Sequence, residues 1–201
     1  MKNSTALITV AAVGILSFAF SGVITAPIKD DALSPKEVDT WFRKMAHRRP
    51  DQLSKLRFYF QGRLGGKNST SVVIAHGNET ASSPTYFGAW MAADIPLTVT
   101  PAFLSKRVGY ARGLYGTASQ EEEALVFAVI FVFTDGDFNG STLSVLGHNP
   151  YRHAYRELPV VGGTGFFRLA VGISTWKTYF FDAGAGRVTV EINVQVLHYG
   201  A

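Results

Sequence analysis

The chain has no cysteine among its 201 residues. That removes disulfide scaffolds, Cys-ligated zinc, iron–sulfur clusters and thiol nucleophiles together. It is also poor in charge, with 17% Asp, Glu, Lys and Arg and a formal net charge of +4. An excess that small does not by itself argue for a nucleic-acid partner. Long apolar runs are nearly absent. One stretch, Ala6–Phe20, is sustained, and it is too short and too quickly interrupted for a comfortable membrane span. The sequence contains no H-E-x-x-H and no G-x-S-x-G. Gly163-Thr164-Gly165-Phe166-Phe167-Arg168 begins like a dinucleotide fingerprint, but it lacks the last glycine and precedes strand-like sequence. Gly66-Lys67-Asn68 lacks the spacing of a phosphate-binding loop, and His148 and His153 have no evident third metal ligand.

What is present is apolar mass, 47% hydrophobic with 13% aromatic residues, enough for a packed core. Met1-Lys2, the Ala6–Phe20 run and the small residues of Gly22–Ala26 form the three-part pattern of a secretory signal over 1–26. Secretion gives meaning to three N-x-[ST] sites, Asn68, Asn78 and Asn139, as glycosylation acceptors. Residues 27–56 read as a polar arm. Ser34-Pro35 starts a short helix around Lys36–Ala46, with Trp41, Phe42 and Met45 on one side. From residue 57 to 201 period-2 patterning takes over. Strands are expected at 57–61, 71–75, 86–91, 108–115, 125–133, 142–146, 167–177 and 188–196, with Gly162–Gly165 as a turn. In the last of these, Val188, Val190, Ile192, Val194 and Val196 share one face. About eight short strands joined by Gly, Pro and Asn turns predict an all-β barrel or sandwich, and a closed barrel of that size holds one small ligand.

Three segments carry a family resemblance: S-K-R-V-G-Y-A-R-G-L-Y-G-T-A (105–118), F-V-F-T-D-G-D-F-N-G-S-T-L-S-V-L-G (131–147) and R-E-L-P-V-V-G-G-T-G-F-F-R-L-A-V-G (156–172). Together with D-I-P-L-T (94–98), V-E-I-N-V-Q-V-L-H-Y (190–199) and the lead-in S-P-K-E-V-D-T-W-F (34–42), they resemble the plant dirigent family, in its cysteine-free, pterocarpan-synthase-like subgroup. The resemblance implies an eight-stranded antiparallel β-barrel of the allene-oxide-cyclase type with a short helical lead-in. It implies a secreted, apoplastic protein with no metal or organic cofactor, assembled as a homotrimer or a homodimer. It implies phenolic small molecules as partners: phenoxy radicals of the coniferyl-alcohol type, supplied by a separate laccase or peroxidase, whose coupling the protein steers in lignan biosynthesis. That is a stereoselectivity-guiding role rather than turnover of its own. Two alternatives stand beside it. One is an isoflavanol dehydratase/cyclase acting through a quinone methide. The other is a non-catalytic defence or cell-wall protein that binds phenolics or glycans.

By the same resemblance, Asp94, Tyr115 and Arg156 are the candidate catalytic residues, and Phe58, Phe60 and Asn149 line the substrate pocket. Two departures bear on chemistry. The family's first barrel strand typically reads F-Y-F-H-D, whereas this chain reads Phe58-Tyr59-Phe60-Gln61-Gly62. Gly62 is therefore expected on the face of Phe58 and Phe60, leaving space where the family has an acid. The second concerns acids elsewhere: Asn149 stands at a position that is Asp in lignan-forming members, although Asn is ordinary among cysteine-free ones, and Ile95 likewise stands where a second acid is common. The pocket is expected to be short of carboxylates, which weakens acid–base catalysis more than steering by shape.

Overall fold

The structure, a computed structural model, describes residues 34–45 and 48–199. The secretory segment expected at 1–26 lies outside them. A helix α1 (Pro35–Met45) precedes nine strands: β1 (Gln52–Arg63), β2 (Ser71–Ala75), β3 (Trp90–Thr98), β4 (Arg107–Thr117), β5 (Leu125–Phe133), β6 (Thr142–Asn149), β7 (Arg156–Thr164), β8 (Val171–Asp182) and β9 (Arg187–His198). Each neighbouring pair is antiparallel in the order β1-β9-β8-β7-β6-β5-β4-β3-β2. The ring closes where β1 meets β3, at Tyr59 opposite Thr98 and Phe60 opposite Leu97. Eight strands thus form a closed barrel, and β2 is an extra strand on the outer half of β3.

The number eight agrees with the sequence pattern, but the membership differs. Segment 71–75 is a strand outside the ring. The segment expected at 86–91 runs from Trp90 to Thr98, and β1 begins at Gln52, within the stretch read as the arm. Strand β7 was not anticipated. Pro159 and the pair Gly162-Gly163 disguise it as turn sequence. Pro159 is tolerated because the β6–β7 ladder ends one residue away, at Val145 opposite Val160, and no β6 partner is in register with it. Gly162 and Gly163 belong to the strand, and the turn begins only at Gly165–Phe167.

Alternation decides what fills the barrel. Val190, Ile192, Val194 and Val196 of β9 are buried in the core, with Val188 packed against it. They meet Phe58 and Phe60, Ile95 and Leu97, Phe127, Val129, Phe131 and Phe133, Leu143, Val145, Leu158 and Trp176. Gly113 in β4 has φ +144°, and a Cβ there would lie 2.3 Å from the Ala128 carbonyl oxygen, so close β4–β5 contact requires glycine. Helix α1 begins in a capping box. The Ser34 N–H and hydroxyl both donate to Glu37 Oε2, at 2.8 and 2.6 Å. These bonds hold the Glu37 carboxyl below its usual pKa. The helix rests on the barrel through Trp41, which meets Tyr199 edge-on at 5.8 Å and lies under the Arg168 guanidinium.

Candidate functional site

Strand register collects one set of inward residues at a single end of the barrel. Tyr115 lies opposite Phe127, Leu125 opposite Asn149, and Arg156 opposite Trp176. The rings connect. Tyr115 stacks on Phe127 at 5.0 Å with 9° between planes, and Phe127 meets Trp176 at 5.2 Å. Trp176 also touches Phe60, at 5.9 Å. The Trp176 indole N–H donates to Ser174 Oγ at 2.9 Å, so the ring acts as wall rather than donor.

Two polar groups stand in this aromatic surround. The Tyr115 hydroxyl donates to Ser71 Oγ at 2.8 Å, so the extra strand β2 caps it. Tyr115 is 7% exposed. Burial raises its pKa, and the Ser71 bond only partly offsets that. At neutral pH it is a phenol, a donor and not a base. Arg156 is 4% exposed. Its Nε donates to Asn149 Oδ1 at 3.2 Å and its Nη1 to the His153 carbonyl at 3.4 Å, both neutral acceptors. Burial lowers its pKa, yet a guanidinium keeps its proton in proteins. No Asp or Glu is among the buried described residues. The end therefore presents one buried positive charge and one neutral phenol, its proton shared with Ser71, against aromatic walls, and the guanidinium favours oxygen carrying negative charge. Around it, Glu123 pairs with Arg152 at 2.8 Å and Glu122 with His148 at 3.0 Å, tying the β4–β5 loop to the β6–β7 region.

The expected residues do not all converge there. Tyr115, Arg156, Asn149 and Phe60 do. Phe58 packs lower, on Phe131 at 5.1 Å and Phe133 at 6.0 Å. It lines a cleft of about 300 Å³ whose rim includes Lys55, Arg57, Asp135 and Asp137. Asp94 faces outward, is well exposed, and pairs with Arg112 at 2.9 Å. Its neighbour Ile95 is the inward residue. Gly62 shares the inward face with Phe60, but the expected free space is occupied. A Cβ at 62 would fall 2.5 Å from Val188 Cγ1 and 3.3 Å from Phe60 Cε1. A second cleft of about 260 Å³ lies on the outer wall, and neither cleft is lined by Tyr115 or Arg156. Sequence reasoning missed Ser71, Phe127, Trp176 and Val188. Their roles follow from register and from an extra strand that no local pattern marks.

The architecture is that of an antiparallel closed β-barrel with a cation and a phenol buried at one end. Residues 53–197 match the family model of dirigent-like proteins, and the chain belongs to that family. It is 42% identical over 159 residues to dirigent protein 23 of Arabidopsis thaliana, covering 79% of this chain and 85% of that one. It is 44% identical over 152 residues to pterocarpan synthase 1 of Glycine max, covering 75% and 82%. Among solved structures, two pterocarpan synthase dirigent proteins superpose with a TM-score of 0.69. One is 41% identical, covering 75% of this chain and 87% of that one. The other is 39% identical, covering 76% and 99%.

Proposed function

We propose that this chain binds oxidised phenolics at the Tyr115/Arg156 end of the barrel and imposes handedness on their coupling. The ligands on this reading are phenoxy radicals of the coniferyl-alcohol type, made by a separate laccase or peroxidase. The observation that carries the reading is the buried Arg156 guanidinium, held by neutral partners at the barrel end that also carries the Tyr115 phenol, with no buried carboxylate among the described residues. Radical coupling asks for position, not for proton transfer from the protein. A guanidinium and a phenol hydroxyl orient a phenolic oxygen, and the aromatic walls distinguish the two ring faces. A difference of about 1.4 kcal/mol between the two approaches gives tenfold selection.

The second reading is dehydration and cyclisation of an isoflavanol through a quinone methide, favoured by the identity to pterocarpan synthases. Arg156 and Tyr115 suit the quinone methide oxygen. Protonation of a leaving hydroxyl needs an acid, and Gly62, backed by Val188, does not supply one. Incubation with coniferyl alcohol, with and without laccase, and separately with an isoflavanol and no oxidant, decides between them. Optically active dimer that appears only with laccase supports steering. Isoflavanol turnover without oxidant supports the second reading. Phenolic binding with neither outcome supports a defence or cell-wall role.

Dirigent family proteins are generally secreted, and no helix among the described residues is long and apolar enough to cross a membrane. The same proposal places this protein in the apoplast as a glycosylated homo-oligomer. Asn68, Asn78 and Asn139 all lie exposed in turn or loop positions, which supports glycan attachment.

A further inference from the structure

We propose a second ligand site, on the outer wall of the barrel, that takes a small aromatic carboxylate. Its ring lies against Tyr179 and Phe180, and its carboxylate lies between Arg63 and Arg187.

The two arginines are directly opposite each other on β1 and β9. Like charges in that relation destabilise a sheet. Both guanidiniums lie against the same ring, Phe103, at 5.2 and 5.1 Å from its centroid. Among the described residues neither side chain makes a hydrogen bond or an ion pair, so their N–H donors have no protein acceptor. The nearest acid by register is Asp182, opposite Arg187 on β8. Its Oδ1 accepts the Ala185 N–H at 2.9 Å, which commits it to the β8–β9 turn. Two facing cations with no anion of their own are an arrangement that an external anion completes.

The neighbouring cleft says what kind of anion. Its volume is about 260 Å³, and its walls are Pro101, Phe103, Tyr179, Phe180, Arg187 and Thr189. That lies below the roughly 300–1,000 Å³ of pockets for drug-sized ligands, so a single-ring molecule suits it. The aromatics are there because β8 is irregular. A register shift between Thr178 and Phe180 leaves Tyr179, Phe180 and Phe181 all exposed, where strict alternation would bury one of them. An apolar wall beside paired guanidiniums selects a flat ring bearing a carboxylate, since guanidinium–carboxylate bonds are charge-assisted and directional.

The cleft is built on a fixed base. Gln61 is fully buried on the outer side of β1. It donates to Thr98 Oγ1 at 3.0 Å and to the Pro101 carbonyl at 3.2 Å, and it accepts from Thr189 Oγ1 at 2.9 Å. These bonds pin the β3–β4 loop that carries Phe103. The site is separate from the barrel interior, because Arg187 and Thr189 alternate with the inward Val188 and Val190.

The test is isothermal titration of the full chain with 4-hydroxycinnamate, against 4-hydroxycinnamyl alcohol (the same ring with an alcohol in place of the carboxylate), acetate and inorganic phosphate. The expected result is saturable binding of 4-hydroxycinnamate that weakens with added NaCl. Affinity falls about tenfold or more in Arg187→Gln and in Arg63→Gln, and also in Tyr179→Ala, which leaves the charges in place. These titrations are run in the Arg156→Met/Asn149→Leu background, which removes the interior cation where a phenolic acid would also be held, so that the heat reports the outer cleft. The proposal is overturned by an absence of saturable binding in that background, or by binding indifferent to both arginine substitutions. It is equally overturned if acetate or phosphate binds as tightly as the aromatic acid. It also fails if the arginine variants change only the sedimentation coefficient, which would make the cleft a contact between copies of the chain.

Discussion

At the scale of single residues, a guanidinium buried among neutral neighbours separates stability from function. Arg156 has Asn149 and a backbone carbonyl for partners, so removing it strands no buried acid. Arg156→Met combined with Asn149→Leu is expected to keep or raise stability against urea, because polar pairs in a core are often replaceable by apolar ones. It is also expected to abolish stereoselection. Arg156→Met alone leaves the Asn149 amide unpaired, at a cost of about 1–3 kcal/mol. Unfolding midpoints and product chirality, measured on the same preparations, check both. Tyr115→Phe removes one buried hydrogen bond to Ser71, about 1 kcal/mol, and should lower the enantiomer ratio several-fold while the barrel stays folded. That Tyr115, Arg156 and Asn149 are buried residues of the barrel was legible in the sequence because a family resemblance carried them. Asp94 shows where that reading reaches its limit. In a strand, one position decides the face, and the acid this chain retains points outward while Ile95 points in.

At the scale of elements, the strands that alternate cleanly were the readable ones. Strand β9 announces itself with five β-branched residues at every second position. Strand β7 does not, because it carries a proline just past the end of the β6 ladder and glycines that look like a turn, and their place in a strand is not visible until β6 is set beside it. The pairing of β1 with β9 explains Gly62 in the same way: the sequence shows a missing side chain, and only register shows Val188 in its place. Gly62→Asp is accordingly expected to destabilise by about 1–3 kcal/mol through overpacking. Adding Val188→Ala should recover part of that loss, and a coupling above about 0.5 kcal/mol in a double-mutant cycle is the measurement that checks it. The far end of the barrel has its own signature. His198 is buried, bonds Ser54 Oγ through Nε2 at 2.8 Å, and lies against Phe166 and Phe167. Burial lowers its pKa below the ordinary 6.5, with Asp51 opposing. The unfolded chain therefore takes up the proton first. Stability is complete above pH 6.5 and is lost as pH falls through the folded value. Urea midpoints between pH 7.5 and 5.0 should decline, and His198→Gln should flatten the decline in that window.

At the scale of the whole molecule, the chain builds a stable wall and places little reactive chemistry inside it. With no cysteine, stability rests on packing, and the aromatic interior supplies it. Among the described residues the buried polar ones are amides, hydroxyls, one histidine and one arginine. Such an interior suits choosing between approaches of a reactive ligand better than making the ligand reactive. The secretion proposed for this chain implies glycans, so expression in a plant secretory system followed by glycosidase should shift mobility, with Asn68 and Asn78 the principal acceptors. The central claim, that the Arg156 end of the barrel sets handedness, is tested most directly by one measurement. Coniferyl alcohol is coupled by laccase in the presence of the parent protein or of Arg156→Met/Asn149→Leu at equal folded concentration, and the dimers are resolved by chiral chromatography. The account predicts an enantiomeric excess with the parent and a racemic product with the variant. Equal excess from both, or a racemic product from both, would contradict it.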